Sequence, residues 1–274
     1  MEVKMEEIKN TVSTMMKKQS LKPTTNGKMK SLNTHSKNDY VCDICKDTTW
    51  IFDEEGQVTR CECFETYLQE IKMKRLKMPA EFQGKYLKHF KTTPYKDNEK
   101  IKEYVKMANS YLKNLDKYKG KGFYIYSGTK GSGKTYMLAI IGNELLKRGQ
   151  AVRFARTTEI LDLIKESYND PSEKTKDILK GLVEIEYLLI DDIGAERATD
   201  WVNEQFTYII DKRMTTNKTT MFTSNETVKD LNLNDRIINR INRITIKMKF
   251  PEISVRDILA DFEEKKLTQE LLKE

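Results

Sequence analysis

The feature that most constrains this chain is the octapeptide GTKGSGKT at residues 128–135. It satisfies G-x-x-x-x-G-K-T, and it stands where that motif must stand, between a strand-like FYIYSG (123–128) and a helix-like run from Thr135 to Arg148. The physical reading is a phosphate cradle. Gly128, Gly131 and Gly133 let backbone amides converge on phosphate oxygens without Cβ clashes, and Thr129, Lys130 and Ser132 complete the loop. Lys134 is placed to reach the β- and γ-phosphates, and Thr135 to offer its hydroxyl to Mg²⁺. The helix that begins there adds the positive end of its dipole.

A second element supports the first. In YLLIDD (187–192) four residues precede Asp191, which therefore ends a buried strand 57 residues after Lys134. Asp191 is the natural partner of Mg²⁺, and Asp192, one residue on, is suited to take a proton from an attacking water. One acid of the pair capping the following turn is the alternative. TSN (223–225) closes another strand, where the Asn225 amide can orient that water or simply start a turn. No guanine-reading Asn-Lys-x-Asp element is evident, since Asn217-Lys218-Thr219-Thr220 lacks the acid; this favours ATP. Arg236 and Arg240 lie four apart in LNDRIINRI (233–241), on one helical face, either as cations for a neighbouring subunit's ATP or as an ordinary exposed pair. Arg256 in PEISVRDIL is a weaker candidate for sensing nucleotide within its own subunit.

From Gly122 strands and helices alternate. Strands are expected at 123–128, 151–156, 187–192, 219–225 and 244–248, and helices at 135–148, 157–168, before Gly181, 200–214 and 234–241. This is the pattern of an α/β P-loop domain with a five-stranded parallel sheet. Ahead of it, residues 98–117 read as an amphipathic helix packed on the domain, with further helical segments at 64–77 and 79–90. Residues 1–20 read as a helix and 22–39 as a linker, so the expected boundaries are 1–39, 40–96 and 97–274.

All four cysteines fall in one stretch, Cys42-x2-Cys45-x15-Cys61-x-Cys63. No apolar run approaches a membrane span and the N-terminus does not resemble a secretory signal, so the expected location is the cytoplasm, with no membrane partner. Clustered cysteines in that setting point to metal rather than disulfides. The intervening DTTWIFDEEGQVTR reads as strand, turn, strand, which brings the two pairs together as a four-thiolate Zn²⁺ site with no open position. The one-residue spacing of the second pair is tighter than usual, and free buried cysteines or redox thiols are the alternatives. Trp50, Phe52 and Phe64 are expected to form the module's core rather than a docking surface. The basic excess lies here too: residues 1–120 carry 24 Lys/Arg against 17 Asp/Glu, whereas residues 121–274 carry 25 of each. Such an excess suits polyanion contact as well as mere solubility.

GTKGSGKT, YLLIDDIGAE (187–196), MFTSN (221–225) and DRIINRI (235–241) together resemble the AAA+ ATPases of the DnaC/DnaI type, which load the bacterial replicative helicase and are often phage-encoded. The transposition helper ATPases of the IstB type share the paired acids followed by Gly-x-Glu. The resemblance covers roughly residues 40–260. It implies that Lys134, Thr135 and Asp191 hold nucleotide and Mg²⁺, and that Asp192 is the hydrolytic acid. It further implies Asn225 as sensor 1, Arg240 as arginine finger with Arg236 beside it, and Arg256 as sensor 2. The implied partners are a hexameric replicative helicase, single-stranded DNA and further copies of the ATPase domain. Asp192 stands where many AAA+ proteins have Glu, which suits slow, switch-like hydrolysis, and the tail after Arg256 is expected to be too short for a substantial lid domain. Within the ATPase, Lys212, Arg213, Lys218 and Lys229 are candidate DNA-facing cations. A transposition helper acting on duplex DNA, and a nucleotide-gated DNA-binding module with no helicase partner, are the rival functions.

Overall fold

The structure, a computed structural model, describes residues 42, 44–46, 48–52, 57–64, 76–169, 173–195 and 199–272, with the side chains of 52, 166–169 and 173–178 left aside. The expected helix at 1–20, the linker at 22–39 and residues 65–75 lie outside the described residues. The chain divides into two compact units, Met1–Asp47 and Thr48–Glu274. Of the first, the described part is a turn in which Lys46 N–H donates to Cys42 O at 2.9 Å. The second opens with a short antiparallel hairpin, β1 (Trp50–Phe52) and β2 (Val58–Arg60).

The body of the second unit is a five-stranded sheet of β3 (Gly122–Tyr126), β4 (Val152–Arg156), β5 (Tyr187–Asp191), β6 (Thr219–Ser224) and β7 (Thr245–Lys249). Every pairing is parallel and the order is β4-β5-β6-β3-β7. The helices are α1 (Glu99–Lys113), α2 (Lys134–Lys147), α3 (Thr157–Asn169), α4 (Glu173–Glu184), α5 (Asp200–Thr215), α6 (Asp235–Ile244) and α7 (Val255–Leu271). Among the described residues no helix is long and apolar enough to cross a membrane.

Alternation along the strands feeds two cores. Phe123, Ile125, Phe154, Leu189 and Met221 face one cluster with Ile101 of α1 and Met137 of α2. Tyr124, Ala155, Leu188, Ile190 and Phe222 face the other, with Ile160, Leu182, Phe206 and Ile237 from α3 to α6. Side chains cap α1, α5, α6 and α7, in the form of Asn98, Thr199, Asn234 and Ser254. No side chain caps α2, whose N-cap is Gly133, so its first-turn amides are not taken up by a capping side chain.

Three expectations need correcting. Residues 79–90 form two 3-10 turns, Ala80–Phe82 and Leu87–His89, instead of a helix. Gly84 between them takes a left-handed φ of 68°, and α2 side chains satisfy the backbone: Asn143 Nδ2 donates to Phe82 O and Lys85 O, each at 2.8 Å. Trp50 does not belong to a core; it is 38% exposed, with the Arg60 guanidinium 3.7 Å from its ring centroid and 3.9 Å from that of Phe64. Arg256 lies in the first turn of α7, a single 17-residue helix with none of it buried. Arg213 cannot face DNA, because it is fully buried. Its guanidinium donates to Leu182 O at 2.7 Å, Ile185 O at 2.8 Å, Thr219 O at 2.6 Å and Thr220 Oγ1 at 2.9 Å, tying the end of α4 to the start of β6. Lys218 is paired with Glu186 at 2.6 Å.

Candidate functional site

In a parallel sheet every strand delivers its loop to the same carboxyl edge, and ligands collect there. β3 delivers the phosphate loop, β5 delivers Asp191 and Asp192, and β6, lying between them, delivers Asn225. Chain order alone does not put β6 in the middle; the sheet does.

The loop is held open from behind. Gly133 has φ 87°, and a Cβ there would lie 2.2 Å from the Tyr95 hydroxyl, which donates to Ser132 O at 2.8 Å. Lys134 Nζ donates to Ser127 O at 3.1 Å, Thr129 O at 2.9 Å and Ser132 Oγ at 3.3 Å. Burial lowers the Lys134 pKa; the charges of Asp192, Glu252 and Asp191 act against this, and that of Arg256 adds to it. Both acids and Arg256 thus act electrostatically on the Lys134 ammonium.

Asp191 is buried at the end of β5. Burial pushes its carboxyl up, and hydrogen bonds from Thr223 and Thr135 pull it back. Thr223 Oγ1 donates to Asp191 Oδ1 at 2.6 Å and accepts Asp192 N–H at 2.9 Å, so one β6 hydroxyl fixes both acids. Asp192 adopts φ 60°, a left-handed conformation that Asp tolerates better than most residues. The turn is completed by Gly194 at φ 95°, where a Cβ would come 2.7 Å from Leu231 Cδ2. Asn225 Nδ2 donates to Asp192 Oδ1 at 2.8 Å. Glu196 lies outside the described residues.

Beside the loop is a cavity of about 790 Å³ lined by residues 131–136 with Phe90, Tyr95, Arg256 and Leu259. Neither Asp191 nor Asp192 lines it. Arg256 faces this cavity, at the start of α7, and its backbone N–H donates to Gly131 O at 3.2 Å. Arg236 and Arg240 lie away from it on α6, both paired with Asp211 of α5.

Sequence reasoning missed Glu252. Its carboxylate accepts Thr129 N–H at 2.7 Å, Thr129 Oγ1 at 2.8 Å, Ser127 Oγ at 3.0 Å and Gly128 N–H at 3.1 Å. It clamps the front of the phosphate loop without occupying the amides of α2. No local signal marks it, since the partners are more than 120 residues apart.

The donor sets suit the ions they were expected to hold. A buried carboxylate beside the Thr135 hydroxyl is an oxygen pair suited to Mg²⁺. The ligand atoms of Cys42, Cys45, Cys61 and Cys63 all lie within 4.8 Å of one another. Tetrahedral zinc, with bonds of about 2.3 Å, requires sulfurs roughly 3.8 Å apart, which such a group can supply.

Comparison with known proteins agrees with this geometry. The family model described as IstB-like ATP binding protein matches residues 55–247. The replicative helicase loader DnaC of Escherichia coli (strain K12) is 27% identical over 120 residues, 43% of this chain and 49% of DnaC. The replicative helicase loader DnaI of Bacillus subtilis (strain 168) is 36% identical over 120 residues, 43% of this chain and 38% of DnaI. The match thus spans half or less of these relatives' length. Among solved structures, DnaI superposes with a TM-score of 0.54 at 25% identity, over 64% of this chain and 96% of that one. The chain belongs to the IstB-like ATP binding protein family and is a homologue of the AAA+ helicase loaders of the DnaC/DnaI type.

Proposed function

We propose that this chain is an ATP-dependent loader of a hexameric replicative helicase, which binds single-stranded DNA and deposits the helicase ring through a slow, nucleotide-gated cycle. The observation that carries this reading is the fixed acid pair at Lys134, joined to β6 through Thr223 and Asn225, in a chain homologous to proteins named as replicative helicase loaders.

ATP enters with its phosphates over Gly128–Thr135, and Lys134 exchanges its carbonyl partners for phosphate oxygens. Magnesium, held by Thr135 and Asp191, neutralises charge on those oxygens when bound. Asp192, oriented by Asn225, accepts a proton as water attacks the γ-phosphorus; the new P–O bond forms, the bridging P–O bond breaks, and ADP leaves with the electron pair. Arg256 senses nucleotide from the same copy, while Arg240, with Arg236 beside it, acts on the ATP of a second copy. ATP thereby favours self-association, and hydrolysis weakens it. Residues 40–96 form the helicase-engaging part, in which the four cysteines hold one structural Zn²⁺, and residues 97–274 form the ATPase.

The test is copurification with candidate replicative helicases, with and without ATP, followed by helicase deposition on circular single-stranded DNA. Deposition lost with Lys134→Ala or Arg240→Ala supports the loader. Absence of helicase binding, with nucleotide-dependent assembly on duplex DNA, overturns it in favour of a transposition helper, which the shared IstB-like family leaves as the second reading.

A further inference from the structure

Asp211, on the penultimate turn of α5, shares one carboxylate between the two arginines that α6 carries a turn apart. Oδ2 pairs with Arg236 Nη2 at 3.2 Å, and Oδ1 pairs with Arg240 at Nε. The two arginines are unequally held: the Arg236 side chain is 66% exposed, that of Arg240 only 17%. Arg240 Nη1 is buried and has no hydrogen-bond partner among the described residues. Next to it is a cavity of about 540 Å³ lined by Met214, Arg236, Asn239, Arg240 and Arg243, three guanidinium groups and no carboxylate.

We propose that Asp211 is the positioning residue for Arg240, presenting it to the nucleotide of a second copy of this chain; the inference rests on the trans role given to Arg240 above. An ion pair at Nε restrains the guanidinium and leaves Nη1, buried and without a hydrogen-bond partner among the described residues, unspent within the chain. Ordering a long side chain before the copies meet removes that entropy from the encounter and from the reaction. The neighbouring cavity has the size and sign to admit the outer end of a polyphosphate. Asp211 touches no nucleotide itself and acts through Arg240.

The test mixes full-length variants and reads ATP hydrolysis under conditions where copies associate. Asp211→Asn lowers kcat about tenfold or more, and Asp211→Glu recovers part of it. Affinity for a fluorescent ATP analogue, measured on dilute chains, stays at the wild-type value, which also shows that the variant is folded. Adding Lys134→Ala chains restores hydrolysis to Asp211→Asn chains, because the former lend a correctly held Arg240 to the latter's intact phosphate loop. Arg240→Ala, complemented in the same way, serves as the reference. Wild-type or faster hydrolysis by Asp211→Asn, or failure of its complementation while Arg240→Ala is complemented, overturns the inference and leaves the trans role of Arg240 standing. Failure of both complementations removes the trans role and this inference with it.

Discussion

Asn225 Nδ2 donates to Asp192 Oδ1 at 2.8 Å, so the residue that follows β6 holds the acid that follows β5. The bond restrains the Asp192 carboxylate through one of its two oxygens. Replacing Asn225 by Ala removes orientation without touching the phosphate loop. Hydrolysis is expected to fall by about 10²-fold, the lower end for general base catalysis, with Mg·ATP affinity within about threefold of wild type. Single-turnover hydrolysis beside equilibrium binding measures both.

Glu252 provides a pH-dependent clamp. Burial works to raise its carboxyl, but hydrogen bonds from Thr129, Gly128 and Ser127 outweigh it and hold the pKa below the ordinary value. A carboxyl depressed in the folded state stabilises above its unfolded pKa, and that contribution is lost as pH falls through the folded one. Glu252→Gln should therefore melt lower at pH 7, by on the order of 2 °C, and the difference should vanish as the pH falls through the depressed carboxyl pKa of the folded state. Melting curves across pH 3 to 7 check this.

Arg213 is a structural staple. Burial pulls its pKa down to about 9, so its charge is costly to hold and its carbonyl partners make it worth holding. Arg213→Met orphans several buried carbonyls at once and should cost on the order of 3 kcal/mol of unfolding free energy in denaturant titration. Lys218→Met, at a partly exposed pair, should cost no more than about 1 kcal/mol.

The cysteine group predicts one zinc per chain by elemental analysis, retained through dialysis and released by a strong chelator. Cys61→Ser should lower occupancy well below one, because a structural site relies on all four thiolates.

How much was legible follows from where each partner lies in the chain. The phosphate loop and the LLIDD strand are local: their spacing, apolar content and glycines carry the meaning within a dozen residues. β6 reads as a strand, yet its Thr223 reads only as a strand-former, and its role over both acids appears once the sheet sets β6 against β5. Glu252 and Asp211 act across folded distance, Glu252 over more than 120 residues and Asp211 over 25 and 29, and nothing near either one signals it. The 79–90 segment looked helical because its apolar spacing suits a helix, whereas Asn143 and Gly84 decide otherwise. Arg213 looked like a surface cation because charge is exposed by default, and only the ring of carbonyls around it explains its burial.

The most direct test of the central claim is ATP turnover by the wild-type chain, Lys134→Ala and Asp192→Asn, with Mg·ATP binding measured on each. Wild type should hydrolyse ATP slowly. Lys134→Ala should lose binding and turnover together, while Asp192→Asn should keep binding and lose turnover by about 10²-fold or more. Turnover that survives in Asp192→Asn, or a wild-type chain that does not bind Mg·ATP, would contradict the account.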